Sequence, residues 1–380
     1  MAQEHESRVE QMRHFEPTKH GCKVPREILL KLLAALDDPH PNCEPASKHS
    51  RGCPVTPEIG IGLDSCVVPV KSQKGVYLVQ TTDFFYPLVD DPYIMGRIAC
   101  ANTLSDLYAM GVTDCDNMLM LLAVPLDMTP LERDTAVPIL MKGFRDCALE
   151  AETSVRGGQT VKNPWLTIGG VASAVVSRQQ FVMPNGARDG DVLVLTKPLG
   201  TQPAVNAFEW LRRKPEKWEQ IKGIVSEKQV EKAYFRAISS MARLNRRAAG
   251  LLGKFGARAC TDVTGFGILG HAHNLAEVQE ESVSFEIHAL PIIANMTDVC
   301  RKGPSTFKLL DGFSAETSGG LLIALPADNA DAFCEEVAKI DGHPAWKIGR
   351  VVASEKRGAK MAESLKIIEV PNVDTDGQLW

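Results

Sequence analysis

Apolar positions recur at two different periods along this chain, and the alternation between them predicts a mixed α and β protein. Ile28, Leu29, Leu32, Leu33 and Leu36 stand at helical spacing, which predicts a short amphipathic helix over 25–36. From Ile59 onward strand and helix patterns alternate. Apolar runs predict strands near 66–70, 76–82, 116–124 and 166–177, with helices near 93–110 and 130–151. Gly186-Ala-Arg-Asp-Gly-Asp191 is a turn cluster that marks a domain boundary. Beyond it the pattern predicts a strand at 191–196, helices near 203–212 and 227–252, and a loop and helix opening at Asp262. Strands at 283–288, 320–326 and 345–352 and a helix at 328–339 complete the expectation. The predicted class is α+β in two domains, 58–185 and 186–380. A polar, mobile, glycine-containing segment and a proline-rich loop over 1–57 precede them.

Composition narrows the class. The 380 residues suggest two or three domains and can bury a sizeable core, and 44% hydrophobic with 23% charged content is ordinary for a globular protein. A formal net charge of -5 argues against a nucleic-acid partner. The ten cysteines include no C-x-x-C pair, which reads as reduced thiols rather than a disulfide framework or zinc ribbon. Met1 to Glu16 is polar, and no 18-residue apolar run occurs, so neither a leader nor a membrane span is expected. The expected location is the cytoplasm.

Four aspartates carry the candidate chemistry. Asp64 lies in Ile59-Gly-Ile-Gly-Leu-Asp-Ser-Cys66, Asp83 closes the run from Val76, Asp106 falls in a helix pattern of small residues, and Asp262 opens Asp-Val-Thr-Gly-Phe-Gly. Apolar surroundings penalise their charge unless cations compensate it. Hard oxygen donors with few nearby histidines favour Mg2+ over zinc or iron, and magnesium held this way serves phosphates. A nucleoside triphosphate is the expected substrate. Ile98, Asn102 and Asp106 share one helix face, and Ala99, Ala101, Ser105 and Ala109 allow a neighbour or ligand to approach. Gly157 and Gly158, within Thr153 to Thr160, predict a turn whose backbone N–H groups face an anion, with the Thr160 hydroxyl as a further donor. No Walker A pattern occurs. His271 and His273, at i and i+2, do not share a helix face, so a joint metal site is not expected. Cys66, Cys100 and Cys260 read as small buried packers, and Arg97 is expected to pair with Asp90, Asp91 or a phosphate.

Together these segments resemble the selenophosphate synthetase (selenide, water dikinase) family, in its animal-type branch. The likeness is carried by Gly21-Cys-Lys-Val-Pro25, Gly60-Ile-Gly-Leu-Asp-Ser-Cys66, Gln80-Thr-Thr-Asp83, the stretch from Asp90 to Gly111, Gly157-Gly-Gln-Thr160, Thr261 to His271 and Glu316-Thr-Ser-Gly-Gly320. The resemblance implies an aminoimidazole ribonucleotide synthetase-like fold. In that fold an N-terminal α/β domain binds ATP and builds a homodimer through a barrel of strands, an α+β domain follows, and the sites lie at the interface. It implies the conversion of ATP, selenide and water to selenophosphate, AMP and orthophosphate. It further implies Asp64, Asp106 and Asp262 as metal ligands. Gly62, Leu63, Asp64, Asp83, Asp106 and Gly157, Gly158, Gln159 and Thr160 contact ATP or its metals, and Lys23 reaches phosphate.

One position departs from the family pattern. Selenium-competent members carry cysteine or selenocysteine where this chain has His20. An imidazole cannot form the corresponding sulfur–selenium bond, although it can act as a base near neutral pH. The alternative expectation is therefore a paralogue that binds or hydrolyses ATP without using selenide, in a regulatory or redox-linked role. A purine-pathway synthetase or thiamine-phosphate kinase fits less well, because Gly21-Cys-Lys23 and the Asp90 to Gly111 stretch favour the first family.

Overall fold

The computed structural model describes Val24, Ile28, Leu29, Leu32, residues 64–303 and residues 307–372. His20, Lys23, Gly62, Leu63 and most of the 1–57 segment lie outside the described residues. Ile28, Leu29 and Leu32, the described positions of the helix expected over 25–36, are helical.

Two sheets organise the chain. The first contains β1 (Cys66–Pro69), β2 (Val76–Phe85), β3 (Asn117–Pro125), β4 (Val155–Asn163) and β5 (Thr167–Ser177), in the order β1-β2-β5-β3-β4. Its pairs are antiparallel except for β3 with β4, which is parallel. Helices α1 (Pro92–Ala109) and α2 (Pro130–Glu150) cover one face. On that face Val79, Ile168, Ala172, Ala174, Met118 and Leu122 are buried, as period-two alternation requires.

Helix α1 is the hub of the fold. Asp91 caps it by accepting from the Ile94 N–H at 3.0 Å, and Pro92 supplies a preset φ at its first turn. Small and apolar residues occupy every side, so the helix can only be stable when surrounded. It contacts β2 and β5 of the first sheet, α2 beside it, and elements of the second half. The α1–α2 contact is close because Gly96 and Gly143 face the neighbouring backbone: a Cβ at Gly96 would come within 2.0 Å of the Leu140 carbonyl. Arg97 is buried within this contact and pairs with Glu150, an acid outside the partners expected for it. Asp91 serves as the cap, and Asp90 pairs with Arg213 at 2.8 Å.

The second sheet has the order β11-β8-β10-β6-β9-β7. Its strands are β6 (Val192–Leu195), β7 (Ala259–Asp262), β8 (Val283–Ile293), β9 (Leu321–Leu325), β10 (Trp346–Ala353) and β11 (Gly358–Val370). Around it run α3 (Thr201–Arg213), α4 (Pro215–Ile221), α5 (Glu227–Ala242), α6 (Arg246–Ala249), α7 (Gly267–Glu277), α8 (Met296–Lys302) and α9 (Ala327–Asp341). The helix expected as one piece over 227–252 is broken. Arg243 turns to an extended backbone after α5, which lets Asn245 reach Ser105 of α1 at 3.0 Å and the Gly319 carbonyl at 2.8 Å. Strands β7 and β11 and helices α4 and α8 lie where no such element was predicted. Cys100 and Cys260 are buried as expected, whereas Cys66 is exposed on the edge strand β1.

Candidate active site

Two side chains one helical turn apart on α1 meet alternate residues of β2. Asn102 donates from Nδ2 to the Asp83 carboxylate, and Asp106 accepts from the Thr81 hydroxyl. The match is geometric: four helical residues rise about 6 Å and two strand residues span about 6.6 Å, so the i, i+4 pair faces the i, i+2 pair. Thr81 and Asp83 point to the covered side of the sheet, which places a carboxylate under the helix. Asp83 lies inside β2, since the strand continues to Phe85 rather than ending near residue 82.

The other two aspartates arrive from opposite ends of the chain. Asp64 lies two residues before β1, and Asp262 is the last residue of β7, 2% exposed and opposite Leu321. Burial holds the Asp106 carboxyl well above the usual carboxylate range, and Asp262, Asp64 and Asp83 push it further, against the Thr81 hydrogen bond. The four carboxylates are close neighbours. They line one cleft of about 360 Å³, which Val24, Leu29, Thr82, Phe266 and His271 also line.

His271 enters this group although the spacing of His271 and His273 predicted no joint site. Ligand atoms of Asp64, Asp262 and His271 lie within 4.8 Å of one another. His273 stands apart, with Nε2 on Glu277 at 3.1 Å and Nδ1 accepting from the Ala359 N–H at 3.3 Å. Sequence spacing was a valid test of that pair, but it could not reveal that residues 261–271 fold back on themselves. The fold-back depends on Gly267, whose φ of +72° and approach to the Gly312 carbonyl leave no room for a side chain. It lets the Thr264 and Phe266 N–H groups donate to His271 Nε2 at 3.1 and 3.4 Å. Backbone N–H groups can only donate, so Nε2 keeps its lone pair for them and the ring proton sits on Nδ1. His271 thus offers an N–H donor, and the metal-type donors that remain are carboxylate oxygens. Such an all-oxygen set fits a hard divalent cation such as Mg2+.

Asn102 ties the cleft to the second half of the chain. Its Oδ1 accepts from the Ser318 N–H at 2.7 Å while its Nδ2 holds Asp83. The helix-face pattern had singled out Asn102, but not its partners.

Gly157 to Thr160 are not brought to the aspartates of the same chain. They form part of the exposed edge strand β4 rather than a turn. Parallel pairing with β3 holds the Gly157–Gly158 backbone extended along Leu119 and Met120. In the strand order β2-β5-β3-β4, Asp83 and this segment are three strand spacings apart, about 14 Å.

Comparison with known proteins places these features in context. Residues 62–176 match the family described as AIR synthase related protein, N-terminal domain, and residues 188–361 match its C-terminal domain. The chain is 54% identical to selenide, water dikinase 3 of Danio rerio, covering 92% of this chain and 83% of that protein. It is 54% identical to selenide, water dikinase 2 of Homo sapiens, over 92% of this chain and 82% of that protein. Identity to the selenide, water dikinase of Dictyostelium discoideum is 48%, over 93% of both chains. Among solved structures, AaThiL complexed with AMPPCP and TMP superposes with a TM-score of 0.62 at 20% identity, covering 92% of this chain and 98% of that one. The hydrogenase maturation protein HypE of E. coli superposes with a TM-score of 0.57 at 19% identity, covering 80% and 88%. These two show the shared fold.

Proposed function

The chain belongs to the selenide, water dikinase family, and on that premise we propose that its four converging aspartates are the metal and nucleotide centre of the reaction. The protein is an ATP-dependent phosphotransferase that makes selenophosphate from selenide and water, releasing AMP and orthophosphate. One observation carries the reading of the site: carboxylates from both halves of the chain line a single cleft, where burial and the charges of Asp262, Asp64 and Asp83 raise the proton affinity of Asp106.

Asp64, Asp106 and Asp262 are assigned as the ligands, with Asp83 held ready by Asn102 at the nucleotide. Mg2+ held by these carboxylates would supply positive charge to offset the charge that develops during phosphoryl transfer. The chain's own part is to fix the donors. Thr81 orients Asp106, Asn102 orients Asp83, and the Thr264–Phe266 backbone sets the His271 tautomer. Lys23 is assigned to the phosphates, where a flexible cation can follow a moving group; its sequence neighbour Val24 lines the cleft. Gly62 and Leu63, directly before Asp64, would bring backbone N–H groups to the nucleotide.

The reading includes a cytoplasmic homodimer with domains 58–185 and 186–380. Phe84 and Val175 are exposed on the uncovered face of the first sheet, and Val161 is exposed on β4. An apolar sheet face of this kind favours association. The same chain's Gly157 to Thr160 do not reach these aspartates, so their assignment to the nucleotide calls for the segment of a second copy. Among the described residues no helix is long and apolar enough to cross a membrane.

The deciding experiment incubates the full chain with ATP and Mg2+, with and without selenide, and follows phosphorus products by NMR. Selenide-dependent selenophosphate with equivalent AMP is expected. ATP turnover indifferent to selenide would overturn the reading, and His20→Cys would then be the first variant to assay for restored synthesis.

A further inference from the structure

A group of buried basic side chains lies near the aspartate cleft, and one of them, an arginine, has no carboxylate partner among the described residues. Lys197, two residues past β6, is 1% exposed, and its Nζ donates to the carbonyls of Arg243 at 2.6 Å and Ser318 at 2.8 Å. Arg243, at the C-terminus of α5, pairs through one amino group with Asp341 and donates through the other to the Thr196 carbonyl at 3.0 Å. Arg236, seven residues earlier on α5, is 7% exposed. Its Nε is buried without a hydrogen-bond partner, and no carboxylate pairs with it among the described residues. His343, half-buried just past α9, completes the group. Burial, then the nearby Arg243 and Arg236, pull its imidazole down to about 4, so it is neutral at pH 7.

An arginine cannot shed its proton to escape burial, and a buried charge without a partner is strongly unfavourable. Two ordinary compensations fail for Arg236. Asp341 is engaged by Arg243, and the partial negative charge at the C-terminus of α5 fades within its last turn, short of position 236. The natural complement of a planar guanidinium fork beside further N–H donors is an oxyanion, held bidentately.

We propose that Arg236, Arg243, Lys197 and His343 form a binding site for a small tetrahedral oxyanion, with inorganic phosphate as its ligand. A short relay links the site to the cleft: Lys197 holds the Ser318 carbonyl, the Ser318 N–H is held by Asn102, and Asn102 holds Asp83. Occupancy by phosphate therefore bears on the loop 314–320 that packs against the nucleotide-binding aspartates. The proposal stands on these residues alone and does not depend on the reaction assigned to the cleft.

The test uses the full chain in EDTA, without Mg2+ or ATP, so that the metal-free aspartates repel phosphate and cannot account for binding. Thermal midpoints are followed while phosphate is titrated at constant ionic strength against chloride, with AMP as a parallel arm. A millimolar phosphate-specific rise is expected for the wild type, with the response weakened at least tenfold in Arg236→Met. Without phosphate, Arg236→Met is expected to be no less stable than the wild type, because it removes an uncompensated buried charge. Arg236→Lys, which keeps the charge but loses the fork, is expected to bind more weakly while folding normally. Equal phosphate responses in wild type and Arg236→Met, or no wild-type response beyond chloride, would overturn the site. So would an Arg236→Met that fails to fold, since Arg236 would then be a structural necessity. A response to AMP but not to phosphate would show that the site takes a nucleotide phosphoryl group instead and would overturn the assignment to free phosphate.

Discussion

Removing one carboxylate from the cleft should change stability in opposite directions with and without metal. The perturbation is Asp262→Asn, which keeps the shape of the side chain and deletes its charge. Ligand oxygens of Asp64 and Asp262 lie within 4.8 Å. Two full charges at that separation repel by about 3.5 kcal/mol at an effective dielectric constant of about 20. Part of this is already relieved, because the raised proton affinity of Asp106 lets the cluster take up a proton. A net gain of about 1–2 kcal/mol is therefore expected for the variant in EDTA, read as a rise of about 2–5 °C in the thermal midpoint by calorimetry. In saturating Mg2+ and ATP the order should reverse, because the wild type gains binding free energy that the variant cannot match. Selenophosphate formation should fall by at least a hundredfold. If Asp262→Asn melts below the wild type in EDTA, or if Mg2+ leaves the wild-type midpoint unmoved, the carboxylates do not form a cation site.

Asn102→Ala leaves the Ser318 N–H without its acceptor and takes one donor from the Asp83 carboxylate, so a loss of about 1–3 kcal/mol in denaturant midpoint experiments is expected, with weakened nucleotide affinity. Unchanged nucleotide affinity would remove Asn102 from the site. Glu316 accepts from the Gly200 and Thr201 N–H groups at 2.7 and 3.0 Å, yet burial pushes its carboxyl up to about 7 from an ordinary 4.5. A folded value above the unfolded one gives stability that is complete below about pH 4.5 and lost as pH rises through 7. The stability advantage of the wild type over Glu316→Gln should thus shrink between pH 5 and 8, and a gap that widens would refute this. Val175→Arg places a charge on the uncovered sheet face and should yield monomers by sedimentation with loss of synthesis; dimers as stable as the wild type's would show that the subunits meet elsewhere.

Much of this protein was written in its sequence. Strand and helix periods located β1 to β3, β5, α1 and α2 within a few residues, because each has a long apolar repeat with a capping or turn residue at its end. The aspartates stood out because carboxylates among glycine and apolar residues need compensation. What remained hidden depended on contacts between segments far apart in the chain. Gly157-Gly158 reads locally as a turn, but pairing with β3 satisfies the backbone and draws it into a strand. The helical pattern through 227–252 continues past Ala242, but Asn245 has partners on α1 and at Gly319 that a straight helix could not reach. Arg97 could have served any nearby anion, and packing of α1 on α2 chose Glu150. His271 joined the cleft only because the chain reverses at Gly267. The order of residues thus determined which elements form and which side chains carry charge, since both are local properties. Only the tertiary structure decided which charges meet, because electrostatic coupling depends on distance through space and the sequence records distance along the chain.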